Sequence, residues 1–175
     1  MFHVSRRGFT IVELLVALGI FVIITAMVVA NFRAGSRSDE LRIAAETLVS
    51  NLRKAQNMSL AGQLINGNSP PGGYGVYFKL SDTDRYIIFA DLNGDLGYTA
   101  GEALADGTII LPRDIRILNI QPTAVSSAIF KPPKPTIYIN GATTEATLSV
   151  TLKHNLSGKT RTVTVKRISG QIGAE

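Results

Sequence analysis

The chain contains 175 residues, of which 45% are hydrophobic and 18% are charged, and its formal net charge is +5. This length accommodates one folded domain with an appended segment, and the absence of cysteine excludes a disulfide framework and a thiolate metal site. The excess of positive charge is modest, so composition alone does not predict a nucleic-acid-binding protein.

The first predicted element is an apolar run from Phe9 to Ala30. The residues that interrupt it are Thr10, Glu13, Gly19 and Thr25. As a helix, a run of about 22 residues extends about 33 Å, which matches the hydrocarbon thickness of a bilayer. Because Arg6 and Arg7 precede the run, the positive-inside rule places the N-terminus in the cytoplasm and the residues after Ala30 on the other side. We therefore expect one membrane-spanning helix.

Two other interpretations of this run remain open. A cleaved secretory signal would use Val28-Val29-Ala30 as its small-residue cleavage site, although its apolar region would exceed the usual length of about 7–15 residues. A single-pass anchor of an unrelated binding protein would keep Met1–Gly8 attached. The N-terminal residue of the mature protein distinguishes these interpretations.

A short basic leader precedes the stretch Gly8-Phe9-Thr10-Ile11-Val12-Glu13-Leu14-Leu15-Val16. This stretch resembles the class III signal of type IV pilins and type II secretion pseudopilins, in which the leader ends in glycine and the fifth mature residue is glutamate. The resemblance implies that a prepilin peptidase cuts between Gly8 and Phe9 and methylates the new amino group of Phe9. The leader would be removed, and the apolar helix would stay.

Glu13 is the charged residue inside the apolar run. A charge at the centre of a membrane helix costs roughly 2.5–3.5 kcal/mol, and Glu13 lies nearer the end, where the cost is smaller. In the pilin families this glutamate is thought to pair with the N-terminal amine of a neighbouring subunit. The resemblance therefore implies that Glu13 acts in assembly and sets the axial offset between helices. An unpaired charge at the membrane interface is the alternative.

The helical pattern continues beyond the membrane run. Apolar residues recur every three or four positions and form one stripe, at Leu41, Ala44, Ala45, Leu48, Leu52, Ala55 and Met58. We therefore predict one helix from about Thr10 to about Ala61, with a flexible point near Gly35-Ser36. Gly62 is predicted to end it.

From Tyr74 onward the apolar residues alternate with a period of two, which predicts strands. The predicted strands are Tyr74–Leu80, Tyr86–Ala90, Thr108–Leu111, Ile115–Ile120, Ile137–Asn140, Leu148–Leu152 and Thr160–Ile168. Asn155–Gly158 supplies hairpin turn residues, and Gln121–Pro135 is predicted to be an irregular connection. The fold class is therefore α+β, with a long N-terminal helix packed on an antiparallel β-sheet head. The predicted segments are a leader, a membrane half-helix, an amphipathic half-helix and the head, at residues 1–8, 9–30, 31–62 and 63–175.

The predicted head has no helix after the first one, and its last strand leads into Ser169-Gly170-Gln171-Ile172. This arrangement resembles the minor pseudopilins with an H-type head, a group that includes the FimT-like transformation pilins. Those proteins usually end in a Gly-Arg-Val type sequence, whereas here Gln171-Ile172 follows Gly170. The resemblance implies a minor filament subunit.

Residues 91–102 have the ligand spacing of a calcium-binding loop. Oxygen-bearing side chains occupy positions 1, 3, 5, 9 and 12 of the stretch, namely Asp91, Asn93, Asp95, Thr99 and Glu102. The carbonyl of Gly97 would add another oxygen, whereas Leu96 stands where the pattern has a glycine. The spacing favours Ca²⁺ as a cofactor that rigidifies the head, and a solvated turn is the alternative.

Basic residues crowd the last predicted hairpin, at Lys159, Arg161, Lys166 and Arg167. Phosphate contacts from such residues would bind DNA in a salt-sensitive, sequence-independent way. However, Lys166 differs in strand parity from Arg161 and Arg167, and lysines that protect a solvated edge hairpin explain the same residues. A DNA-binding minor pilin of a competence pilus is therefore the alternative function.

The sequence contains no recognisable catalytic constellation, so we expect no enzymatic activity. His154 lies beside a turn and is predicted to be a surface residue. The main hypothesis is a structural pilin or pseudopilin that spans the bacterial inner membrane once, with its head outside the cytoplasm, and then enters a periplasmic or extracellular filament. Its expected partners are the lipid bilayer, the prepilin peptidase, the inner-membrane assembly platform and other subunits.

Overall fold

A computed structural model of the chain describes residues 8–133 and 136–175, apart from the side chains of residues 30 and 32–34. The helix α1 spans Ile11–Leu60, and nine strands follow it within the described residues. The chain divides into two compact units, one that ends at Ser36 and one that comprises Arg37–Glu175. The predicted α+β class is confirmed. Apart from Gly8, the predicted leader lies outside the described residues.

The first half of α1, as far as Val29, exposes apolar side chains on all sides. Ile11–Val29 has a mean hydropathy of 2.8, is long enough to cross a membrane, and has none of its residues buried within the protein. Large side chains such as Phe21 and Val22 remain 66% and 64% exposed. Because contact between such a surface and water is unfavourable, this half requires lipid or other apolar helices around it.

The second half of α1 is amphipathic, and its apolar stripe belongs to the core of the second unit. The buried members of the predicted stripe are Leu41, Ala44, Ala45, Leu48, Leu52 and Ala55. Met58 is half-buried against the core, and the hydroxyl of buried Ser59 donates a hydrogen bond to the carbonyl of Phe130. Gly62 follows the helix with a φ of 60°, a left-handed conformation that ends a helix at low cost for glycine.

The strands form two antiparallel sheets. Their bounds are β1 Gly73–Lys79, β2 Arg85–Asp91, β3 Ala103–Ile110, β4 Ile115–Gln121, β5 Val125–Lys131, β6 Thr136–Ile139, β7 Thr147–His154, β8 Thr160–Lys166 and β9 Ile172–Ala174. The five-stranded sheet has the order β3-β2-β1-β5-β6, and the four-stranded sheet has the order β4-β7-β8-β9. Buried side chains from both sheets and from the second half of α1 form one hydrophobic core.

The predicted irregular connection at Gln121–Pro135 is wrong, because β5 lies within it and pairs with both β1 and β6. Ser126 and Ser127 interrupt the apolar pattern of β5, and yet both are buried. The side chain of Asn140 accepts a hydrogen bond from the amide of Ser127 at 2.9 Å and donates one to the hydroxyl of Ser126 at 3.4 Å. These hydrogen bonds give the buried amide of Ser127 and the buried hydroxyl of Ser126 a partner, which removes the cost of burying them unpaired.

Two strands extend beyond the predicted pattern. β3 begins at Ala103, upstream of the predicted start at Thr108. The three-residue strand β9 was not predicted, and it pairs with β8 through contacts such as Val165↔Ile172. A strand this short leaves too few residues for an alternation to be recognised.

The predicted surface position of His154 is wrong, because its ring is fully buried at the end of β7. The ring nitrogen Nδ1 accepts hydrogen bonds from the amides of Leu156 and Ser157 at 3.2 and 3.3 Å. The other nitrogen, Nε2, lies 3.4 Å from the carboxylate of Glu40 on α1. The hairpin turn thus folds around the imidazole, which explains a burial that sequence position alone does not indicate.

Replacement of Leu48 by alanine should destabilise the second unit by about 2–5 kcal/mol, because Leu48 is fully buried and its truncation leaves a cavity in the core. Urea denaturation of residues 37–175 measures this change in the free energy of unfolding. Ile43→Ala is the matched control on the same helix, where the side chain is 55% exposed. Equal destabilisation by the two substitutions would contradict the assignment of the buried face.

Candidate functional site

The segment that precedes α1 contains the predicted processing site. Gly8, Phe9 and Thr10 are exposed and non-helical, and the helix begins at Ile11. The Phe9 side chain is 83% exposed. The Gly8–Phe9 peptide bond therefore lies in non-helical chain, two residues before the first helical residue.

Thr10 is the N-cap of α1, a role that the sequence analysis missed. Its hydroxyl accepts a hydrogen bond from the amide of Glu13 at 3.2 Å, and its carbonyl accepts one from the amide of Leu14 at 3.1 Å. The sequence signal for this cap was available, since Thr10-Ile11-Val12-Glu13 has the Thr-x-x-Glu spacing of a capping box. The hydroxyl satisfies one of the amides that a helix leaves unpaired at its N-terminus.

The carboxylate of Glu13 lies in the first turn of α1 and is exposed. Among the described residues it has no ion-pair partner within 4 Å. A helix N-terminus attracts negative charge, which favours a carboxylate at this end of the helix over the other. The position leaves the carboxylate available to a cation supplied by another molecule.

The acidic loop, residues 91–102, connects β2 to β3 and folds around two of its own carboxylates. Asp91 is fully buried and accepts hydrogen bonds from the amides of Gly94 and Leu96 at 2.6 and 2.8 Å. Glu102 is buried at the other end of the loop. One of its oxygens accepts from the amides of Leu92 and Asn93, and the other accepts from the amide of Thr99 at 2.7 Å.

The remaining predicted ligands form the exposed side of the acidic loop. The carboxylate of Asp95 accepts hydrogen bonds from the amide of Gly97 at 2.8 Å, the side-chain amide of Asn93 at 3.0 Å and the hydroxyl of Thr99 at 3.3 Å. Leu96 adopts a φ of 61°, the left-handed conformation that the glycine of the calcium-loop pattern would adopt without strain. The substitution at position 6 therefore does not prevent this turn.

The acidic loop also contacts the turn that follows β6. Gly141 has a φ of 73°, and a Cβ atom built there would lie 3.3 Å from the carbonyl oxygen of Leu96. Glycine is favoured at this position on both grounds, since a side chain would be strained and close to the neighbouring backbone.

Calcium binding by the acidic loop stays a prediction. Within residues 8–133 and 136–175, no group of three or more His, Cys, Asp or Glu side chains has a metal-binding arrangement. The carboxylates that the sequence pattern selects are engaged with amides of the loop itself. Because each carboxylate offers about four lone-pair sites, these hydrogen bonds leave acceptor capacity for a cation.

The four basic residues of the predicted DNA-binding hairpin do not form one cluster. Lys159 precedes β8 and donates a hydrogen bond to the hydroxyl of Ser38 at 3.2 Å, whereas Lys166 and Arg167 lie at the other end of the strand. The guanidinium of Arg167 donates to the carbonyl of Glu145 at 2.9 Å. Arg161 takes part in neither of these contacts.

Arg161 lines an open groove together with two cations of α1, Arg53 and Lys54. This basic groove has a volume of about 780 Å³ and includes β9 in its wall. Its acidic residue, Glu46, already pairs with Arg42 at 3.0 Å. In the described part of the chain, no carboxylate lies within 4 Å of the three cations.

The groove was missed by the sequence analysis because Arg161 lies more than a hundred positions from Arg53 and Lys54 in the chain. Arg53 and Lys54 fall outside the apolar stripe of α1, which indicates exposure but gives no indication of a partner. The guanidinium of Arg53 also donates a hydrogen bond to the carbonyl of Ile172 at 3.1 Å, which fixes the position of its charge beside β9. An anionic partner is the ligand that such a groove favours.

Comparison with known proteins bears on the N-terminal segment. The family described as the prokaryotic N-terminal methylation motif matches residues 4–29. The chain carries a prepilin-type signal. No curated protein and no solved structure matches the chain.

The matched segment includes Gly8, Phe9 and Glu13 and most of the apolar half of α1. The motif supports a type IV pilin-like precursor subunit, and it implies processing by a prepilin peptidase and assembly with other pilin subunits. It indicates a structural subunit rather than an enzyme. The motif and the apolar helix together fit membrane anchoring followed by incorporation into a filament. The H-type character of the head stays a prediction.

Calcium should raise the melting temperature of residues 37–175 if the acidic loop binds it. With a dissociation constant of about 1 mM, typical of extracellular modules, calcium at about 10 mM would add about 1.4 kcal/mol of stability. Differential scanning calorimetry in calcium, in a chelator, and in sodium chloride of matched ionic strength measures the effect.

Glu102→Gln is the matched variant, because it keeps the shape of the side chain and removes its charge. We expect calcium to leave the melting temperature of this variant unchanged. Identical melting temperatures of the natural sequence in calcium and in chelator would contradict calcium binding.

Proposed function

We propose that this chain is a minor pilin or pseudopilin subunit that is cleaved between Gly8 and Phe9, methylated on the amine of Phe9, and assembled into a type IV pilus or a type II secretion pseudopilus. The observation that carries the proposal is the N-terminal methylation motif at residues 4–29, of which residues 11–29 form a helix that exposes apolar side chains on all sides. Motif and helix together favour assembly over a soluble existence.

The apolar helix supports the proposal through its surface. Side chains along Ile11–Val29 are exposed around the whole circumference. Before assembly the bilayer would cover them, and in a filament the equivalent helices of other subunits would do so. The basic pair Arg6-Arg7 supports an N-terminus in the cytoplasm and a head outside it.

The position of Glu13 supports assembly through a specific charge pair. Cleavage after Gly8 would create an amine on Phe9, and Glu13 would then be the fifth residue of the mature chain. A carboxylate in an apolar environment is tolerated when a partner charge and hydrogen bonds satisfy it. We propose that the amine of a neighbouring subunit supplies that charge and thereby fixes the stagger between helices.

Cleavage is tested by mass spectrometry of the full-length chain produced with a prepilin peptidase. We expect the mature protein to begin at Phe9 and to carry one added methyl group. Cleavage after Ala30, or an intact Met1, would contradict the proposal.

Assembly is tested by Glu13→Ala in the organism's own filament system. Because the variant keeps Gly8 and Phe9, we expect normal cleavage but strongly reduced recovery of the subunit in sheared filaments, quantified by immunoblotting. Glu145→Ala is the control, since it removes an exposed carboxylate of the head. Normal incorporation of the Glu13 variant would refute the charge-pair role.

A DNA-binding subunit of a competence pilus is the second candidate function, and the basic groove is the observation that favours it. Three cations that have no carboxylate within 4 Å among the described residues line one open surface. Phosphates are anions that such a surface would bind without sequence preference. The arrangement differs from the predicted hairpin cluster, because only Arg161 belongs to both.

Fluorescence anisotropy with a DNA duplex tests this second function over a salt titration. We expect an affinity of about 10⁻⁴–10⁻⁶ M for residues 37–175 that falls steeply with salt. Arg53→Glu with Arg161→Glu should abolish it, and Lys166→Glu with Arg167→Glu is the control with the same change in net charge. Equal effects of the two pairs, or no binding by the natural sequence, would remove the groove as a DNA site.

A further inference from the structure

We infer that Thr10 is a positioning residue for processing: its hydroxyl caps α1 and so keeps the Gly8–Phe9 bond outside the helix, where the peptidase reaches it. This inference rests on the proposed cleavage between Gly8 and Phe9. Thr10 itself is not part of the bond that breaks, and its effect is exerted through the start of the helix.

The hydrogen bonds at the start of α1 carry the inference. The amide of Glu13 donates to the hydroxyl of Thr10 at 3.2 Å rather than to a carbonyl upstream. The first backbone bond across this end joins the amide of Leu14 to the carbonyl of Thr10 at 3.1 Å. The hydrogen bonds of the helix begin downstream of Gly8 and Phe9. Among the described residues, the carbonyls of Gly8 and Phe9 therefore accept no backbone hydrogen bond.

A helix that started one turn earlier would change the scissile peptide directly. Its ladder would join the amide of Val12 to the carbonyl of Gly8, the carbonyl that must be attacked during cleavage. That oxygen would then be occupied, and the surrounding turn would cover the bond. The cap therefore favours one of two states of the same segment, a non-helical and accessible state over a helical and protected one.

The surroundings of this segment increase the importance of the cap. Near a membrane, unpaired amides are costly because little water is present to satisfy them. Without a cap, extending the helix upstream would satisfy the amides at its start and would therefore be favourable. Gly8 opposes this extension because glycine is a poor helix former. Thr10 opposes it by satisfying an amide without any additional helical residue.

The test uses the full-length precursor in membranes with a prepilin peptidase and follows the fraction cleaved over time by intact-mass spectrometry. Thr10→Val keeps the branched shape and removes the hydroxyl, whereas Thr10→Ser keeps the hydroxyl. We expect Thr10→Val to be cleaved about fivefold more slowly, in proportion to the lost capping preference, and Thr10→Ser to be cleaved at the natural rate.

A second readout separates helix position from side-chain recognition by the peptidase. Carbonyl ¹³C chemical shifts of Gly8 and Phe9, measured on the full-length chain in detergent micelles, should move toward helical values in Thr10→Val and remain unchanged in Thr10→Ser. Slower cleavage together with this shift, and rescue of both by serine, is the expected result.

Three outcomes would overturn the inference. Natural-rate cleavage of Thr10→Val would show that the cap does not control access, and equally slow cleavage of Thr10→Ser would show that the hydroxyl is not the responsible group. Slower cleavage of Thr10→Val with unchanged chemical shifts would assign the effect to peptidase contacts. Failure of the natural chain to be cleaved between Gly8 and Phe9 would instead refute the proposed function itself, and this inference with it.

Discussion

The apolar surface of α1 is the constraint on which the rest of the molecule depends. Burying one Leu or Ile side chain is worth about 1.5–3 kcal/mol, and the first half of the helix exposes many such side chains. An unpaired carboxylate costs roughly 2.5–3.5 kcal/mol at the centre of a membrane helix on insertion scales, and less near its end. The hydrophobic contribution is therefore much the larger, so Glu13 reduces the tendency of the helix to leave water only slightly. In the proposed filament its effect would be on the register of the helices.

Most of the apolar side chains on the second half of the same helix are buried within the chain itself. Its stripe of leucines and alanines is covered by strands of both sheets, and the small side chains of Ala44, Ala45 and Ala55 are fully or nearly fully buried there. Hydrogen bonds lie at the edge of this contact; for example, the side-chain amide of Asn51 donates one to the hydroxyl of Tyr86 at 2.7 Å. Such bonds fix which side of the helix faces the sheets. Burial also raises the pKa of Tyr86, so the phenol stays neutral over the ordinary pH range.

Sequence periodicity predicted the elements whose burial follows a regular pattern and missed those held by polar contacts. The stripe of α1 and the alternation of β7 identified both elements correctly. β5 was missed because its buried serines depend on Asn140, a residue that follows β6, and no local pattern encodes that bond. The basic groove was missed for a similar reason, since its cations meet only after the sheet has formed. At the N-terminus the motif predicted the processing residues, whereas the cap formed by Thr10 was recognised only from the hydrogen bonds of the structure.

The close packing of Gly141 on the backbone of Leu96 joins the β2–β3 connection to the far edge of the five-stranded sheet. Two segments that are far apart in the chain are thus in direct contact. A rearrangement of the backbone around Leu96 would press directly on the end of β6, the outermost strand on that side. A change in the conformation of the loop would therefore also change the shape of a surface that a neighbouring molecule would meet. This holds whether the loop is held by its own amides or by a bound ion.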